Sequence, residues 1–185
     1  MLLDITMRIT PELRRSAPEK EDRTLVGHLG THFDVMDKEF PLEYTRREGI
    51  AFDVSGIRQR DIDTSDIDLG RVKKGQFVAF YTGFVHEEPY GTKRYFAEHP
   101  QLSDRLIDAL LEREISIIGI DCSGVRRGKE HFPADQRCAD RRVFVVENLC
   151  DLKALVKAES FWVNTYPVRY SGMTGLPCRV IAELG

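Results

Sequence analysis

The sequence has no long apolar run, no internal repeat and no low-complexity segment. Its apolar stretches fall well short of the roughly 18 residues that suggest a membrane-spanning helix, so no membrane partner is expected. The net charge of -3 and the lack of a long block of like charge argue against a nucleic-acid partner. Residues 1–10 are too few and too mixed in polarity for a signal peptide, and we therefore expect a cytoplasmic protein.

Cysteine is scarce, and its spacing follows no metal-binding pattern. The four cysteines are Cys122, Cys138, Cys150 and Cys178, and no two of them form a C-x-x-C pair. In a chain without a leader we expect reduced thiols rather than disulfides. A structural zinc site built from cysteines is therefore not expected, and Cys122 is predicted to be a packed thiol.

The rest of the composition is that of an ordinary globular protein. Apolar residues make up 42% and charged residues 31% of the 185 residues, and a chain of this length can bury a sizeable core without cross-links. We predict a single domain that covers residues 1–185.

Hydrophobic periodicity predicts one clear helix and six strands. Apolar residues recur at helical spacing between Leu102 and Leu111, and Ser103 is placed to cap that helix. Residues 61–75 are expected to form turns, residues 151–157 a short helix, and residues 14–23 a mobile loop. A helix between two strands that are buried on both faces predicts the mixed α/β class, with helical cover on a mixed sheet. The strands are predicted at residues 49–54, 76–81, 115–120, 143–146, 161–165 and 178–182.

Three metal-binding residue types stand at even spacing near the beginning of the chain: His28, His32 and Asp34. In an extended segment they would point to one face, but His28 and Asp34 would lie ~20 Å apart. One ion can collect all three only if the chain bends, and Gly30 is the residue that permits a bend. Two surface histidines and a turn aspartate are the equally weighted alternative.

Together with its neighbours, this segment resembles the metal-binding motif of a known family. Gly30-Thr31-His32-Phe33-Asp34, preceded by His28, is similar to the motif of the cyclase family, which includes kynurenine formamidase. Ordered blocks at fitting separations are more specific than one motif, and the chain is identified as a member of this family. Further similar blocks are residues 4–6, 74–78, 81–83, 118–121 and 146–149, followed by Pro167, Pro177, Arg179 and Val180.

The resemblance implies a fold, a cofactor and a reaction. The fold would be the swivelling β/β/α type of the cyclase family, assembled as a homodimer or homotetramer. The cofactor would be one or two divalent ions, zinc or manganese, held by His28, His32, Asp34 and Glu147. The reaction would be hydrolysis of a small-molecule amide or related C–N bond, in which water ionised by the metal near neutral pH attacks the carbonyl.

Two positions depart from the family pattern. The family has a proton-transferring histidine where this chain has Lys38, and a histidine ligand for a second ion where it has Asp135. We take Lys38 and Asp135 as candidate catalytic residues and predict an ion pair between them that leaves room for one metal. The alternatives are that Asp135 is an oxygen ligand of a second ion, or that nearby His131 takes the place of the missing histidine.

The substrate and the reaction type stay open. Residues 11–27 contain four basic residues and no aromatic residue, which weakens the match to kynurenine-type substrates. The basic residues either favour a smaller or more anionic substrate or are simply the solvated charges of a loop, and the second interpretation has more weight. A catalytically silent homologue that binds a small metabolite is one alternative function. A metal-dependent lyase or dehydratase is the other. Among the remaining histidines, His99 stands beside Pro100 and is predicted to be structural.

Overall fold

A nine-stranded mixed sheet dominates the structure, a computed structural model that describes residues 1–7 and 27–185. The strand order is β1-β9-β7-β3-β4-β5-β6-β2-β8. Strands β3 to β6 run parallel, and all the other neighbours in the sheet pair antiparallel. The strands are β1 (Leu2–Asp4), β2 (His32–Asp34), β3 (Arg46–Asp53), β4 (Phe77–Tyr81), β5 (Ile117–Ile120), β6 (Phe144–Glu147), β7 (Phe161–Thr165), β8 (Gly175–Pro177) and β9 (Val180–Glu183).

Four helices join these strands in the described part of the chain: α1 (Phe84–Glu87), α2 (Lys93–Glu98), α3 (Asp104–Glu112) and α4 (His131–Asp140). Helix α3 is the one predicted from periodicity, and its Ser103 cap is confirmed because the Ser103 hydroxyl accepts a hydrogen bond from the Leu106 N–H at 3.0 Å. The short helix predicted at residues 151–157 is only a 3-10 turn, Leu152–Ala154. Helix α4 was not predicted. No helix among the described residues is both long and apolar enough to cross a membrane.

The central parallel strands are buried on both faces, as their continuous apolar character predicts. Alternate side chains of β4 and β5 enter two separate cores. Ile118 and Ile120 pack with the apolar faces of α3 and α4, whereas Phe77 and Ile117 enter the core on the other side of the sheet. The mixed α/β class is therefore confirmed. The loop predicted at residues 14–23, with the four basic residues noted above, lies outside the described residues.

The strand register brings distant parts of the sequence together. Strand β2 pairs antiparallel with β6, and His32 stands directly opposite Glu147. On its other side β2 pairs with β8. Directly opposed residues on antiparallel strands have Cβ atoms ~5 Å apart. The sheet therefore places the histidine motif against the carboxylate at the end of β6.

Candidate metal centre

A sharp bend before β2 gathers the three residues of the histidine motif. Gly30 has a φ of +70°, a backbone conformation that side chains rarely adopt, so the bend predicted at this residue is confirmed. His28 Nε2 lies 3.1 Å from Asp34 Oδ1, and His32 Nε2 lies 3.5 Å from the same oxygen. Two imidazoles and one carboxylate therefore converge on one point, as a metal site requires.

A second group of ligand atoms adjoins the first and shares Asp34 with it. His131 and Asp135 lie one turn apart on α4, and His131 Nε2 lies 3.4 Å from Asp135 Oδ2. Glu147 touches both groups, since its Oε2 lies 3.6 Å from His32 Nε2 and its Oε1 lies 3.7 Å from His131 Nε2. The ligand atoms of Asp34, His131, Asp135 and Glu147 all lie within 4.8 Å of one another.

The three carboxylates of this centre are buried almost completely. Asp34 is 3% exposed, and Asp135 and Glu147 are each 2% exposed. Asp34 Oδ2 and Asp135 Oδ1 accept no hydrogen bond from any residue that the structure describes. Burying like charges without partners is costly, whereas carboxylate oxygens and imidazole nitrogens are the usual ligands of divalent metals. The residues present therefore fit a divalent metal centre.

The close approach of the buried carboxyls also shifts their pKa values. Burial, followed by the negative charge of Asp34, raises the pKa of Asp135 well above its ordinary value. Burial also acts to raise the pKa of Asp34, but attraction to His32 and a hydrogen bond from His28 outweigh it and hold that pKa below its usual range. Without a cation, the two neighbouring carboxyls are pushed toward different protonation states.

The imidazoles are oriented by backbone carbonyls. His32 Nδ1 lies 2.8 Å from the Gly30 carbonyl oxygen, and His131 Nδ1 lies 3.1 Å from the Arg126 carbonyl oxygen. Because a carbonyl only accepts, each Nδ1 carries the proton and each Nε2 presents its lone pair to the centre. This arrangement is typical of metal-binding histidines.

The Gly30 carbonyl is itself held by residues that sequence reasoning missed. Asn148 Nδ2 donates to the Gly30 oxygen at 3.0 Å, and the Tyr95 hydroxyl donates to Asn148 Oδ1 at 2.9 Å. Asn148 has a φ of +55° and follows Glu147 directly. The only signal in the sequence is that Asn148 belongs to one of the blocks similar to the cyclase family.

The prediction of an ion pair between Lys38 and Asp135 was wrong. Lys38 Nζ lies 2.8 Å from Asp37 Oδ2 and 2.8 Å from Asp140 Oδ1. Asp140 is five residues beyond Asp135 on α4, which is about 140° around the helix, so the two carboxylates face different ways. Hydrogen bonds to Asp140 and Asp37 raise the pKa of Lys38. A role for Lys38 in catalysis stays a prediction.

Of the other histidines and cysteines considered above, only His131, an alternative to the missing histidine, lies in the metal centre among the described residues. Cys122 is fully buried, which confirms the packed thiol, and burial raises its pKa. His99 is also fully buried, with its Nδ1 2.9 Å from the Pro100 carbonyl oxygen. The remaining histidine, His86, is exposed, with its ring centroid 6.5 Å from that of Tyr81, and it belongs to neither group of ligand atoms.

The mixed sheet, together with a buried cluster of histidines and carboxylates, defines an α/β protein with a candidate divalent metal centre. The model of the putative cyclase family matches residues 3–126, and the chain belongs to that family. The matched region contains the histidine motif and ends before α4, so it does not cover the candidate ligands on α4 and β6. No protein with a curated description matches the chain.

Several solved structures share this fold at low sequence identity. A potential metal-dependent hydrolase with cyclase activity is 20% identical, with a TM-score of 0.77 over 98% of this chain and 96% of the other. A predicted metal-dependent hydrolase from Bacillus stearothermophilus is 20% identical, with a TM-score of 0.76 over 98% and 97%. Isatin hydrolase A from Labrenzia aggregata is 17% identical, with a TM-score of 0.74 over 98% and 93%.

Proposed function

We propose that this protein is a metal-dependent hydrolase that cleaves a small amide or a related C–N bond, with zinc or manganese as its cofactor. The observation that carries the proposal is the convergence of His28, His32 and Asp34 with Glu147 and Asp135 at one buried place. The similar solved structures support the same reaction class, because they include metal-dependent hydrolases and an isatin hydrolase. Isatin is itself a cyclic amide.

Each residue of the centre has a definite part in this proposal. A divalent ion held there would supply Lewis-acid chemistry, polarising a carbonyl and making water more acidic. His28, His32 and Asp34 would hold that ion together with Glu147, and the Gly30 carbonyl keeps the Nε2 atom of His32 turned toward it. The carboxylates, which are otherwise crowded, would balance the charge of the cation.

The exposure of the histidines indicates the side from which a substrate enters. The side chains of His28 and His131 are 25% and 35% exposed, whereas that of His32 is 3% exposed. A small molecule that approaches from the side of His28 and His131 therefore meets the centre directly. His32 and the three carboxylates are 2–3% exposed, so bulk water is kept away from that part of the centre.

Hydrolysis of two defined amides tests the proposal. The protein would be purified without chelator, supplied with zinc or manganese, and assayed with isatin and with an N-formyl aryl amide in water enriched in oxygen-18. We expect one labelled oxygen in the product, because hydrolysis adds water across the C–N bond. Turnover without the label would favour a lyase or dehydratase, and metal binding without turnover on a wider panel of small amides would favour a silent binding protein.

Two histidine variants provide the matched comparison. We expect His32→Ala to lose at least about 100-fold in kcat/KM, because it removes a buried ligand at the point where two groups of ligands meet. We expect His86→Ala to keep the activity of the unmodified protein, because His86 is exposed and lies outside the cluster. Equal activity in both variants would contradict the assignment of the centre.

The assembly and the location of the protein also remain proposals. A homodimer or homotetramer and a cytoplasmic location agree with the resemblance and the sequence. Light scattering of the purified protein measures the first directly. A monomer at micromolar concentration would contradict it.

A further inference from the structure

We propose that His131 and Asp135 complete a second cation subsite beside the first one, with Asp34 and Glu147 shared between them. The inference concerns the same centre as the proposed function and rests on its being a metal centre. In this arrangement the histidine of the second subsite lies one helical turn before the position that the family resemblance assigns to it. Position 135 supplies an oxygen instead.

The geometry of α4 supports this exchange of ligands. Side chains four residues apart on a helix lie on the same face, one above the other. His131 and Asp135 have this spacing, and both point at Glu147 and Asp34 across the end of the sheet. A ligand moved by one turn can therefore reach the same cation. A ligand moved by two residues would lie on the opposite side of the helix, about 200° away.

The backbone around His131 is shaped to receive its ring. Gly124 has a φ of +113°, and a Cβ atom at this residue would lie 2.4 Å from His131 Nδ1 and 2.7 Å from His131 Cε1. The Arg126 carbonyl accepts from the same Nδ1. Arg126 is in turn held by hydrogen bonds to Asp61 at 2.6 Å and to the Leu102 carbonyl at 2.7 Å. His131 is thus positioned as a ligand, although it lies at the partly exposed side of the centre.

The burial of Asp135 also points to a cation in this subsite. Its side chain is buried to 2% exposure, and Oδ1 accepts no hydrogen bond from the described residues. A cation between Asp135, His131 and Glu147 would meet both the geometry and the unbalanced charge.

The donor set also indicates which cation the second subsite takes. The first subsite combines two imidazole nitrogens with carboxylate oxygen, which suits zinc. The second combines one imidazole nitrogen with three carboxylates, and oxygen-rich sets suit harder ions such as manganese. We therefore expect the second subsite to discriminate less between zinc and manganese than the first.

Metal stoichiometry tests the inference without reference to activity. Chelator-stripped protein would be loaded with manganese, freed of excess ion by gel filtration, and measured by elemental analysis and electron paramagnetic resonance. We expect two manganese ions per chain and the spectrum of an exchange-coupled pair. We expect His131→Ala to retain one ion and to show an uncoupled spectrum, while His86→Ala retains two coupled ions. His131→Gln, which preserves side-chain volume, should behave as His131→Ala does.

A rescue variant separates a ligand from a merely structural residue. The double variant His131→Ala with Asp135→His returns a histidine to the neighbouring turn of α4, and we expect it to recover the second ion. Two ions bound by His131→Ala, or one ion bound by the unmodified protein, would overturn the second subsite. In the latter case, labelled hydrolysis by the one-ion protein would leave the proposed function standing.

Discussion

The imidazole of His32 is oriented by hydrogen bonds that begin at the buried hydroxyl of Tyr95. That hydroxyl donates to Asn148, which donates to the same Gly30 carbonyl that His32 uses. Burial raises the pKa of Tyr95 well above its ordinary value, so the phenol stays protonated and remains a donor. A residue without contact to the ligand atoms of the centre thus helps to hold a ligand in place.

Removing the Tyr95 hydroxyl tests this chain of contacts. We expect Tyr95→Phe to lower the free energy of unfolding by about 1–2 kcal/mol, because the buried amide oxygen of Asn148 loses its donor. We also expect the metal affinity to fall about tenfold, as it does when other residues behind a ligand are removed. Urea denaturation and calorimetric metal titration measure the two effects. The control is Tyr44→Phe, whose hydroxyl bonds the Arg142 carbonyl at the surface and should change neither by much.

His99 predicts a specific dependence of stability on pH. Burial lowers the pKa of His99 to about 4, whereas an unfolded histidine titrates near 6.5. Between pH 6.5 and pH 4, His99 is therefore protonated in the unfolded chain but neutral in the folded protein. Stability should fall as the pH falls through this window, by roughly 3 kcal/mol in all, and no further below it on account of this residue.

Urea denaturation at several pH values between 7 and 4 measures this dependence. The slope attributable to His99 is about 1.4 kcal/mol per pH unit in the middle of the window. His99→Gln should flatten the profile, whatever it does to the absolute stability. A profile that is equally steep in the variant would assign the acid sensitivity to other groups.

At the scale of the element, helix α4 has two faces with different tasks. The inner face presents His131 and Asp135 to the metal centre, and the outer face is held to the chain after β2. On that outer face Lys38 pairs with Asp140, and Gln136 Nε2 donates to Asp37 Oδ1 at 2.8 Å. The outer contacts thus tie the helix to the segment that follows the histidine motif.

The position of Lys38 predicts a small effect on folding and none on the ligands. We expect Lys38→Ala to cost less than about 1 kcal/mol, because its ion pairs lie at the surface and are screened by solvent. The number of bound ions should not change, since Lys38 faces away from Asp135. Thermal unfolding and elemental analysis measure both quantities.

The same substitution also tests the predicted catalytic role of Lys38. If the side chain transfers a proton, kcat should fall in Lys38→Ala and also in Lys38→Arg, which keeps the charge but not the acidity of an ammonium group. If its only task is to hold α4, Lys38→Arg should retain full kcat. A loss of bound metal in either variant would contradict the placement of this lysine outside the centre.

On the scale of the whole molecule, the metal centre joins parts of the chain that are more than 100 residues apart. Asp34 lies on β2, Asp135 on α4 and Glu147 on β6. A cation that binds all three residues binds only the folded chain, because the unfolded chain does not bring them together. Metal binding should therefore stabilise the whole fold.

Thermal unfolding with and without metal measures that coupling. At a free-ion concentration 100 times Kd, we expect a gain of about 2.7 kcal/mol, which corresponds to a rise of roughly 5–10 °C in Tm for a chain of this size. Chelator should reverse it. Asp135→Asn removes a carboxyl whose charged form is disfavoured by burial, so without metal the variant should be at least as stable as the unmodified protein. With metal, the variant should gain less stability, because it has lost a ligand. An equal gain in both proteins would exclude Asp135 from the centre.

A helix can be predicted from sequence when its apolar periodicity and its capping residue are visible within the segment itself. Helix α3 was predictable because its leucines and isoleucine form a stripe and Ser103 caps it. Helix α4 was not, because Pro133 stands in its first turn, Phe132 is exposed, and the side chains it buries are mostly small. With so little apolar periodicity, α4 is specified by its contacts with the sheet and the centre.

The sequence by itself determined the family, because each of its similar blocks is a short run of neighbouring residues and the blocks keep their order along the chain. It also determined the ligand types and the bend at Gly30, which depend on residue identity alone. Glu147 was expected beside Asp34 from the family resemblance, but only the tertiary structure decided that His131 and Asp135 meet Asp34 and that Lys38 does not pair with Asp135. The register between β2 and β6 sets Glu147 against His32, and the rotation of α4 turns His131 and Asp135 inward while Lys38 pairs with Asp140. These choices depend on pairing and packing between segments far apart in the chain, about which local propensity carries no information.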